Sequence, residues 1–180
     1  IKTVNPATNE VVKEYPEMSS QQIDGILEQA DKAFKEWRKE SFDKRAEIVH
    51  KVAQIMLDRK AELAKICALE MGKILKEGIA EVEICAGIYN YYADYAGKLL
   101  ADQPLPTPHG KAFLSHEPIG VILSVQPWNF PFYQITRSAA PNVMAGNTIV
   151  MKHASNVPQA AEMMEKIFAE AGAPKGVYTN

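Results

Sequence analysis

The stretch GVILSV at residues 120–125 is followed, after one helical stretch, by NTIVMK at residues 147–152. Both runs are short, apolar and rich in β-branched residues, which is typical of buried parallel strands. Helical spacing over residues 131–144 separates them, and a second helix over 158–171 leads to a third strand that begins at 177–179. The order β-α-β-α-β predicts an α/β fold with a parallel sheet and right-handed crossovers.

The part of the chain before this sheet is expected to be mainly helical. Residues 1–16 are predicted to form a loop that leads to a short extended piece. Ser19 and Gln22 match a capping box and predict the start of the first helix. Apolar residues at helical spacing predict further helices over about 44–70 and 79–100.

Helical spacing of apolar residues ends near residue 100, and a proline-rich stretch separates the predicted helices from the predicted sheet. Three prolines within residues 103–110 exclude a helix there, because proline lacks an N–H and fixes φ. Residues 101–118 are therefore predicted to form an extended arm between a helical part, 1–100, and the sheet, 119–180. Because a lone three-strand half-sheet exposes much apolar surface, we expect the 180 residues to be the N-terminal part of a larger protein.

Composition excludes several classes of function. Lys and Arg number 20 against 22 Asp and Glu, giving a net charge of -2, which argues against a general nucleic-acid or membrane-surface binder. No apolar run approaches the roughly 20 residues that a membrane span needs. Two cysteines, Cys67 and Cys85, cannot build a disulfide framework or a complete zinc site, so we expect no metal and a reducing, cytoplasmic setting.

Ligands of open parallel sheets bind beyond the carboxyl ends of the strands. The residues there are 126–129, which include a Trp and an Asn, and 152–155, which include a Lys, a His and a Ser. If the two strands are neighbours, these loops share one edge and suit an anionic or sugar-phosphate ligand. Neither Gly-x-Gly-x-x-Gly nor a Walker A motif is present.

Three blocks carry a resemblance to a known family: EPIGV at 117–121, PWNFP at 127–131 and AGNTIVMK at 145–152. They resemble the NAD(P)-dependent aldehyde dehydrogenase superfamily, and within it the bacterial succinate-semialdehyde dehydrogenases. The resemblance covers the whole chain but only the N-terminal part of a family member. It implies N-terminal helices, an incomplete Rossmann-type cofactor-binding sheet, and an arm at 101–118 that joins subunits into a homodimer or homotetramer.

In relatives the catalytic cysteine, the general-base glutamate and the Gly-rich cofactor turn lie downstream of the part matched here. The catalytic domain would then be absent from this chain, and the 180 residues alone are expected to be inactive. The resemblance makes Asn129 the oxyanion-hole donor, a neutral amide that stabilises charge as a thiolate adds to the aldehyde. The alternative is an Asn that merely starts the helix before Pro131.

The resemblance also implies a cofactor site on the two loops and a preference for NADP over NAD. Many NAD-preferring relatives carry Glu where this chain has Ser155, and Glu would repel a 2′-phosphate that Ser can bind with help from Lys152. Ser155 as ordinary loop polarity and His153 as a solvated side chain are the alternatives. Trp128 is expected to be a wall at the nicotinamide end, or core. The predicted cofactor-binding residues are Val125, Gln126, Pro127, Trp128, Lys152, His153, Ala154 and Ser155.

Arg137 gives the substrate prediction. It lies two helical turns after Asn129, on a face with Tyr133, and in a family-like fold Phe130, Tyr133, Gln134 and Arg137 would line the aldehyde tunnel. Relatives that act on succinic semialdehyde are similar in having Arg there, and a buried guanidinium needs an anion such as the far carboxylate of that aldehyde. The alternatives are an Arg paired with an internal acid, a phosphorylated or neutral aldehyde, and a non-catalytic nucleotide-binding or oligomerisation module.

Overall fold

The computed structural model describes residues 1–180, which form six helices and seven strands. The helices are α1 (Ser20–Trp37), α2 (Phe42–Asp58), α3 (Lys60–Met71), α4 (Leu75–Leu99), α5 (Pro131–Ala145) and α6 (Pro158–Glu170). The strands are β1 (Lys2–Val4), β2 (Val11–Glu14), β3 (Gln103–Leu105), β4 (Ala112–Leu114), β5 (Val121–Val125), β6 (Thr148–Lys152) and β7 (Tyr178–Thr179). None of the helices has the length and apolar character that crossing a membrane requires.

The parallel sheet has the strand order β5-β6-β7, with α5 and α6 as its two connections. Val121 lies opposite Thr148, and Val125 lies opposite Lys152. Both connecting helices begin with proline, whose missing N–H would have no helical partner in any case. Helix α5 ends at Gly146, which takes the left-handed conformation at φ 100°. The predicted α/β class and the β-α-β-α-β order are confirmed.

The helices of the N-terminal part agree with prediction except at one point. The capping box of Ser19 and Gln22 is present at the start of α1. The single helix predicted over 44–70 is wrong, because it divides into α2 and α3 at Arg59, where φ is −106° and ψ is 14°. The Arg59 guanidinium donates to Glu62 at 2.9 Å and to Glu170 of α6 at 3.1 Å. The break between α2 and α3 therefore coincides with a long-range ion pair between Arg59 and Glu170. No Gly or Pro at this point of the sequence signals the break.

Two antiparallel hairpins flank the helices. Strand β1 pairs with β2, where the sequence predicted only a loop before an extended piece. Strand β3 pairs with β4 within the predicted arm, and Leu105, Phe113 and Leu114 are each about half exposed there. The extended backbone of the arm agrees with the prediction from its prolines, whereas its pairing into a hairpin with exposed apolar side chains was not predicted.

Aromatic side chains join the helical part to the sheet. The Trp37 indole N–H of α1 donates to the carbonyl of Val143 in α5 at 3.0 Å, in a buried contact. Tyr89 of α4 meets Phe168 of α6 edge-on at 5.9 Å, and Phe168 stacks on Tyr178 of β7 at 4.5 Å between ring centroids. These residues belong to one continuous core, which fixes the strand ends relative to the helices around them.

Candidate active site

The loops after β5 and β6 lie side by side at the carboxyl edge of the sheet. Val125 and Lys152 are partners at the end of the register, and the N–H of Gln126 donates to the carbonyl of Lys152 at 3.1 Å. We call residues 126–130 the first loop and residues 153–157 the second loop. The structure therefore brings together the two predicted groups of site residues, as their shared edge required.

The first loop presents aromatic rings and an amide to the surface. Trp128 and Phe130 are 51% and 45% exposed, and Asn129 is also exposed. The Asn129 Oδ1 accepts a long hydrogen bond from Gln134 at 3.4 Å, and its Nδ2 has no partner in the chain. The N-cap of α5 is Phe130, without a side-chain cap bond. Asn129 therefore does not cap the helix, and its amide N–H groups are free to donate to a ligand.

The exposed face of α5 carries the predicted substrate residues in contact with one another. The rings of Phe130 and Tyr133 lie 6.0 Å apart, and the Arg137 guanidinium lies 6.0 Å from the Tyr133 ring. The expectation of a buried guanidinium is wrong for this chain, since Arg137 is exposed and makes no ion pair. No internal acid holds it, which removes the alternative of an Arg paired within these residues.

Arg137 opens onto a groove between α4 and α5 with a volume of about 360 Å³. The residues that line it are Ile84, Gly87, Ile88, Tyr91, Tyr92, Tyr133 and Arg137. Its walls are apolar and aromatic, and Arg137 is the lining residue that carries a charge. Such a groove fits a short ligand with one anionic end.

The end of β6 and the second loop together present an ammonium and a hydroxyl group without protein partners. Lys152, at the end of β6, and Ser155, three residues later, are both exposed. Neither the Lys152 ammonium nor the Ser155 hydroxyl bonds to any group of the chain, and no carboxylate pairs with the ammonium. A free ammonium and a free hydroxyl on one strand end suit a phosphate-bearing group, so these residues fit a phosphorylated dinucleotide.

His153 has a different environment from the one expected. It is only 7% exposed, so the interpretation as a solvated side chain is wrong. Its Nε2 lies 2.9 Å from the carbonyl of Pro131, and the N–H of Ala154 donates to its Nδ1 at 2.9 Å. Nδ1 also lies 3.3 Å from the carbonyl of Gln126, so both ring nitrogens have partners within the chain. Burial lowers its pKa, although the carbonyls of Pro131 and Gln126 oppose the shift.

His153 thus ties the second loop to Gln126 of the first loop and to Pro131 at the start of α5. The Gln126 amide also turns inward and donates to the Ser124 hydroxyl at 2.8 Å. Val125, Pro127 and Trp128 remain exposed at the edge. Contacts of all these residues with a cofactor stay predictions.

The sequence prediction missed two buried glutamates that hold the helices after the two loops. Glu81 of α4 accepts from the N–H groups of Phe132 and Tyr133, at 2.8 and 3.0 Å, in the first turn of α5. Its other oxygen forms an ion pair with the largely buried Lys73. The signal lay in helical spacing, because Glu81 lies one turn before Cys85, on the buried side of α4.

Glu70 has the corresponding position for α6. Its two oxygens accept from the N–H groups of Gln159 and Ala160, at 2.7 and 3.0 Å, and Oε1 also accepts from the Thr3 hydroxyl at 3.1 Å. Burial raises the pKa of Glu70, and the hydrogen bonds from Gln159 and Ala160 act in the opposite direction. Its spacing from Cys67 placed it on the buried side of α3.

The two thiols are buried away from this edge. Cys67 and Cys85 are both fully buried, and burial raises the pKa of each thiol, that of Cys85 to about 12. Neither is a reactive thiolate at neutral pH. The candidate site therefore supplies hydrogen-bond donors, cations and apolar walls, and no nucleophile.

Comparison with known proteins gives the same family throughout. The sequence profile of the aldehyde dehydrogenase family matches residues 1–179. The chain is 44% identical over 178 residues to a succinate-semialdehyde dehydrogenase [NADP(+)] of Deinococcus radiodurans, covering 99% of this chain and 37% of that protein. It is 40% identical over 182 residues to a succinate-semialdehyde dehydrogenase [NADP(+)] of Mycobacterium avium, covering 99% of this chain and 39% of that protein.

A solved structure shows the same fold. The succinic semialdehyde dehydrogenase of Streptococcus pyogenes, crystallised in complex with NADP+, superposes with a TM-score of 0.96 at 43% identity. The match covers 99% of this chain and 40% of that one. This chain thus spans about two fifths of the length of the relatives that it matches.

Proposed function

This chain belongs to the aldehyde dehydrogenase family, and we propose that it forms the N-terminal part of an enzyme that oxidises succinic semialdehyde, or a similar short acidic aldehyde, to its carboxylic acid with NADP+. The observation that carries the substrate is the unpaired Arg137 guanidinium, which opens onto the groove between α4 and α5. The relatives named above act on this aldehyde, and their likeness spans nearly the whole of this chain.

In this function Asn129 holds the aldehyde oxygen as it becomes an oxyanion. Its free amide is a neutral donor, which stabilises the developing charge without giving up a proton. The attacking thiolate comes from polypeptide outside these 180 residues, since Cys67 and Cys85 are buried with raised pKa values. The 180 residues by themselves are therefore expected to form no NADPH from aldehyde.

Arg137 selects the substrate by charge. A carboxylate at the far end of a short aldehyde can accept two N–H bonds from the planar guanidinium, while Tyr133, against which Phe130 packs, covers the carbon chain. A phosphorylated aldehyde would use the same cation. It is the second candidate substrate, and the open groove does not by itself exclude it on size.

Lys152 at the end of β6 and Ser155 of the second loop support NADP+ as the preferred cofactor. Lys152 and Ser155 would hold the 2′-phosphate through an ammonium and a hydroxyl that have no protein partners. When bound, NADP+ supplies a hydride acceptor. The two free cysteines are compatible with a reducing compartment such as the cytosol.

The test of the substrate is an Arg137→Leu variant of the full-length enzyme. We expect kcat/KM for succinic semialdehyde to fall by about 100-fold, because the substrate carboxylate loses a desolvated charge partner. The value for a neutral aldehyde of similar length should change by less than about threefold, since it makes no ion pair. Steady-state NADPH formation measures both, with a phosphorylated aldehyde as the third substrate.

The matched control is Arg38→Leu, which removes a guanidinium that pairs with Glu117 at 3.0 Å on another surface. This variant should retain wild-type rates on all three aldehydes. An equal loss on all three substrates in Arg137→Leu would contradict the carboxylate role. A larger loss on the phosphorylated aldehyde would favour the second candidate substrate.

We also propose that the arm hairpin joins subunits of a homodimer or homotetramer. Phe113 is 58% exposed on β4, and it lies beside the exposed Leu114. Exposed apolar patches of this kind mark protein interaction sites. A Phe113→Asp variant of the full-length enzyme should shift to a smaller species in light scattering, whereas Val12→Asp on the other hairpin should not.

A further inference from the structure

Neither of the helices that follow the two loops caps its own N-terminus. The N-cap residues are Phe130 for α5 and Val157 for α6, and neither side chain makes a cap bond. The first turn of a helix leaves N–H groups that need acceptors. In both helices a buried glutamate from a distant helix supplies them, Glu81 for α5 and Glu70 for α6.

Glu81 acts on the segment that directly follows Asn129. One carboxylate oxygen accepts from both Phe132 and Tyr133. The other pairs with Lys73, whose ammonium lies 3.8 Å from the centroid of the Phe130 ring. Phe130 is therefore held through its ring, and the two residues after Pro131 are held through their backbone, by one ion pair.

We propose that Glu81 is a positioning residue for Asn129, an inference that rests on the proposed function. Its carboxylate fixes the first turn of α5, and Lys73 fixes the Phe130 ring, so the backbone leaving Asn129 has little freedom to rotate. An oxyanion donor must be fixed before the reaction, because its contribution depends on needing no reorganisation. Glu81 is far in sequence from the site and touches none of the reacting atoms.

The structure offers a matched control in Glu70. It is equally buried, at 3% exposed like Glu81, and accepts from two consecutive N–H groups at the start of a crossover helix. It holds α6 and hence the second loop, which carries Ser155. In both residues a change to Gln places an amide NH₂ against a donor, Lys73 for Glu81 and a backbone N–H for Glu70.

The experiment is a double-mutant cycle in the full-length enzyme with Glu81→Gln, Glu70→Gln and Asn129→Ala. We expect Glu81→Gln to lower kcat by about tenfold, since misplacement of a catalytic group costs up to about 10²-fold. The KM for NADP+ should stay within about twofold of the wild-type value. Glu70→Gln should instead raise KM for NADP+. Circular dichroism and thermal melts confirm that each variant is folded at the assay temperature.

The positioning role is tested by whether the effect of Glu81→Gln on kcat depends on the presence of Asn129. When Asn129 is already Ala, Glu81→Gln should lower kcat by no more than about twofold further, because Glu81 acts through Asn129. Glu70→Gln should have the same effect in either background. If the full tenfold loss of Glu81→Gln persists without Asn129, the positioning role is wrong.

A second readout keeps this inference separate from the proposed function. Hydrogen exchange followed by mass spectrometry should show faster exchange in residues 126–133 for Glu81→Gln and for Lys73→Met, with residues 153–160 unchanged, and the reverse for Glu70→Gln. If the wild-type enzyme oxidises no aldehyde, the proposed function fails, while exchange still reports whether Glu81 holds the first loop. Unchanged exchange in residues 126–133 would overturn the inference.

Discussion

The first and second loops have the same scaffold and opposite surface chemistry. Each follows a parallel strand, each leads into a helix that begins with proline, and each helix is held by a buried glutamate from the N-terminal part. The first loop exposes Trp128, Asn129 and Phe130, and the second loop follows the cation of Lys152. The shared scaffold sets the distance between the two strand ends, and the exposed side chains give the two loops their different surface chemistry.

The two glutamates also differ in what balances their charge. Glu81 faces a buried ammonium, Lys73, whereas Glu70 accepts only from neutral donors, two backbone N–H groups and the Thr3 hydroxyl. Burial accordingly raises the pKa of Glu70. Glu81 thus holds the first turn of α5 from within a buried ion pair, whereas Glu70 holds the first turn of α6 through neutral hydrogen bonds alone.

The largest expected effect belongs to the first loop. In the full-length enzyme Asn129→Ala should lower kcat by about 10²–10³-fold, the usual cost of removing one oxyanion donor. The dissociation constant for NADP+ should stay within about twofold, because Asn129 makes no contact that a bound phosphate needs. Stopped-flow kinetics and fluorescence titration of the cofactor measure the two quantities.

If Asn129→Ala weakens NADP+ binding as much as it lowers kcat, the proposal that Asn129 acts on the reaction and not on cofactor binding is wrong. Gln134→Ala is the matched control, since it removes the amide that donates to Asn129 at 3.4 Å and leaves the Asn129 donor in place. We expect it to change kcat by less than about threefold, because a hydrogen bond that long is weak.

A smaller effect belongs to the second loop. Ser155→Glu should shift the ratio of kcat/KM for NADP+ to that for NAD+ by about 10- to 100-fold toward NAD+, because a carboxylate there repels a 2′-phosphate and accepts from a 2′-hydroxyl. Rates with saturating aldehyde and varied cofactor give the ratio. Asn156→Glu, which adds the same charge at the next exposed position, should shift it less.

If Ser155→Glu leaves the ratio unchanged, Ser155 is ordinary loop polarity and the 2′-phosphate lies elsewhere. If Ser155→Glu lowers kcat with both cofactors as much as Asn129→Ala does, then Ser155 does not act on cofactor choice separately from catalysis.

The sequence predicted the sheet because its signals are local. Residues 120–125 and 147–152 are apolar runs of strand length, and Gly146 ends the helix between them, so strand, helix and edge follow from near neighbours. The PWNFP motif likewise identified the family, which the match over residues 1–179 confirms. Contacts between distant residues were not predictable in this way.

Arg59 and Glu81 show the physical reason. The break between α2 and α3 occurs at Arg59, which bonds to Glu170, and the cap of α5 comes from Glu81, 51 residues before Phe132. Periodicity records which face of a helix is buried, but it does not record which group that face meets. The buried role of His153 was missed for the same reason, since its partner is the carbonyl of Pro131.

The smallest expected effect tests the tie between the loops. His153→Gln should lower the free energy of unfolding by about 1–2 kcal/mol at pH 7.5, because hydrogen bonds to Pro131 and Ala154 are lost or weakened.

Burial lowers the folded-state pKa of His153 below its ordinary value of 6.5, so the folded protein binds fewer protons than the unfolded chain. The stability from His153 is therefore full above pH 6.5 and is lost as the pH falls through the folded-state pKa. Urea unfolding at pH 7.5 and 5.0 should show the difference between wild type and His153→Gln shrinking at the lower pH, whereas a difference that grows would mean the ring is charged when folded. His50→Gln, at a half-exposed histidine beside Asp94, serves as the control for charge changes elsewhere.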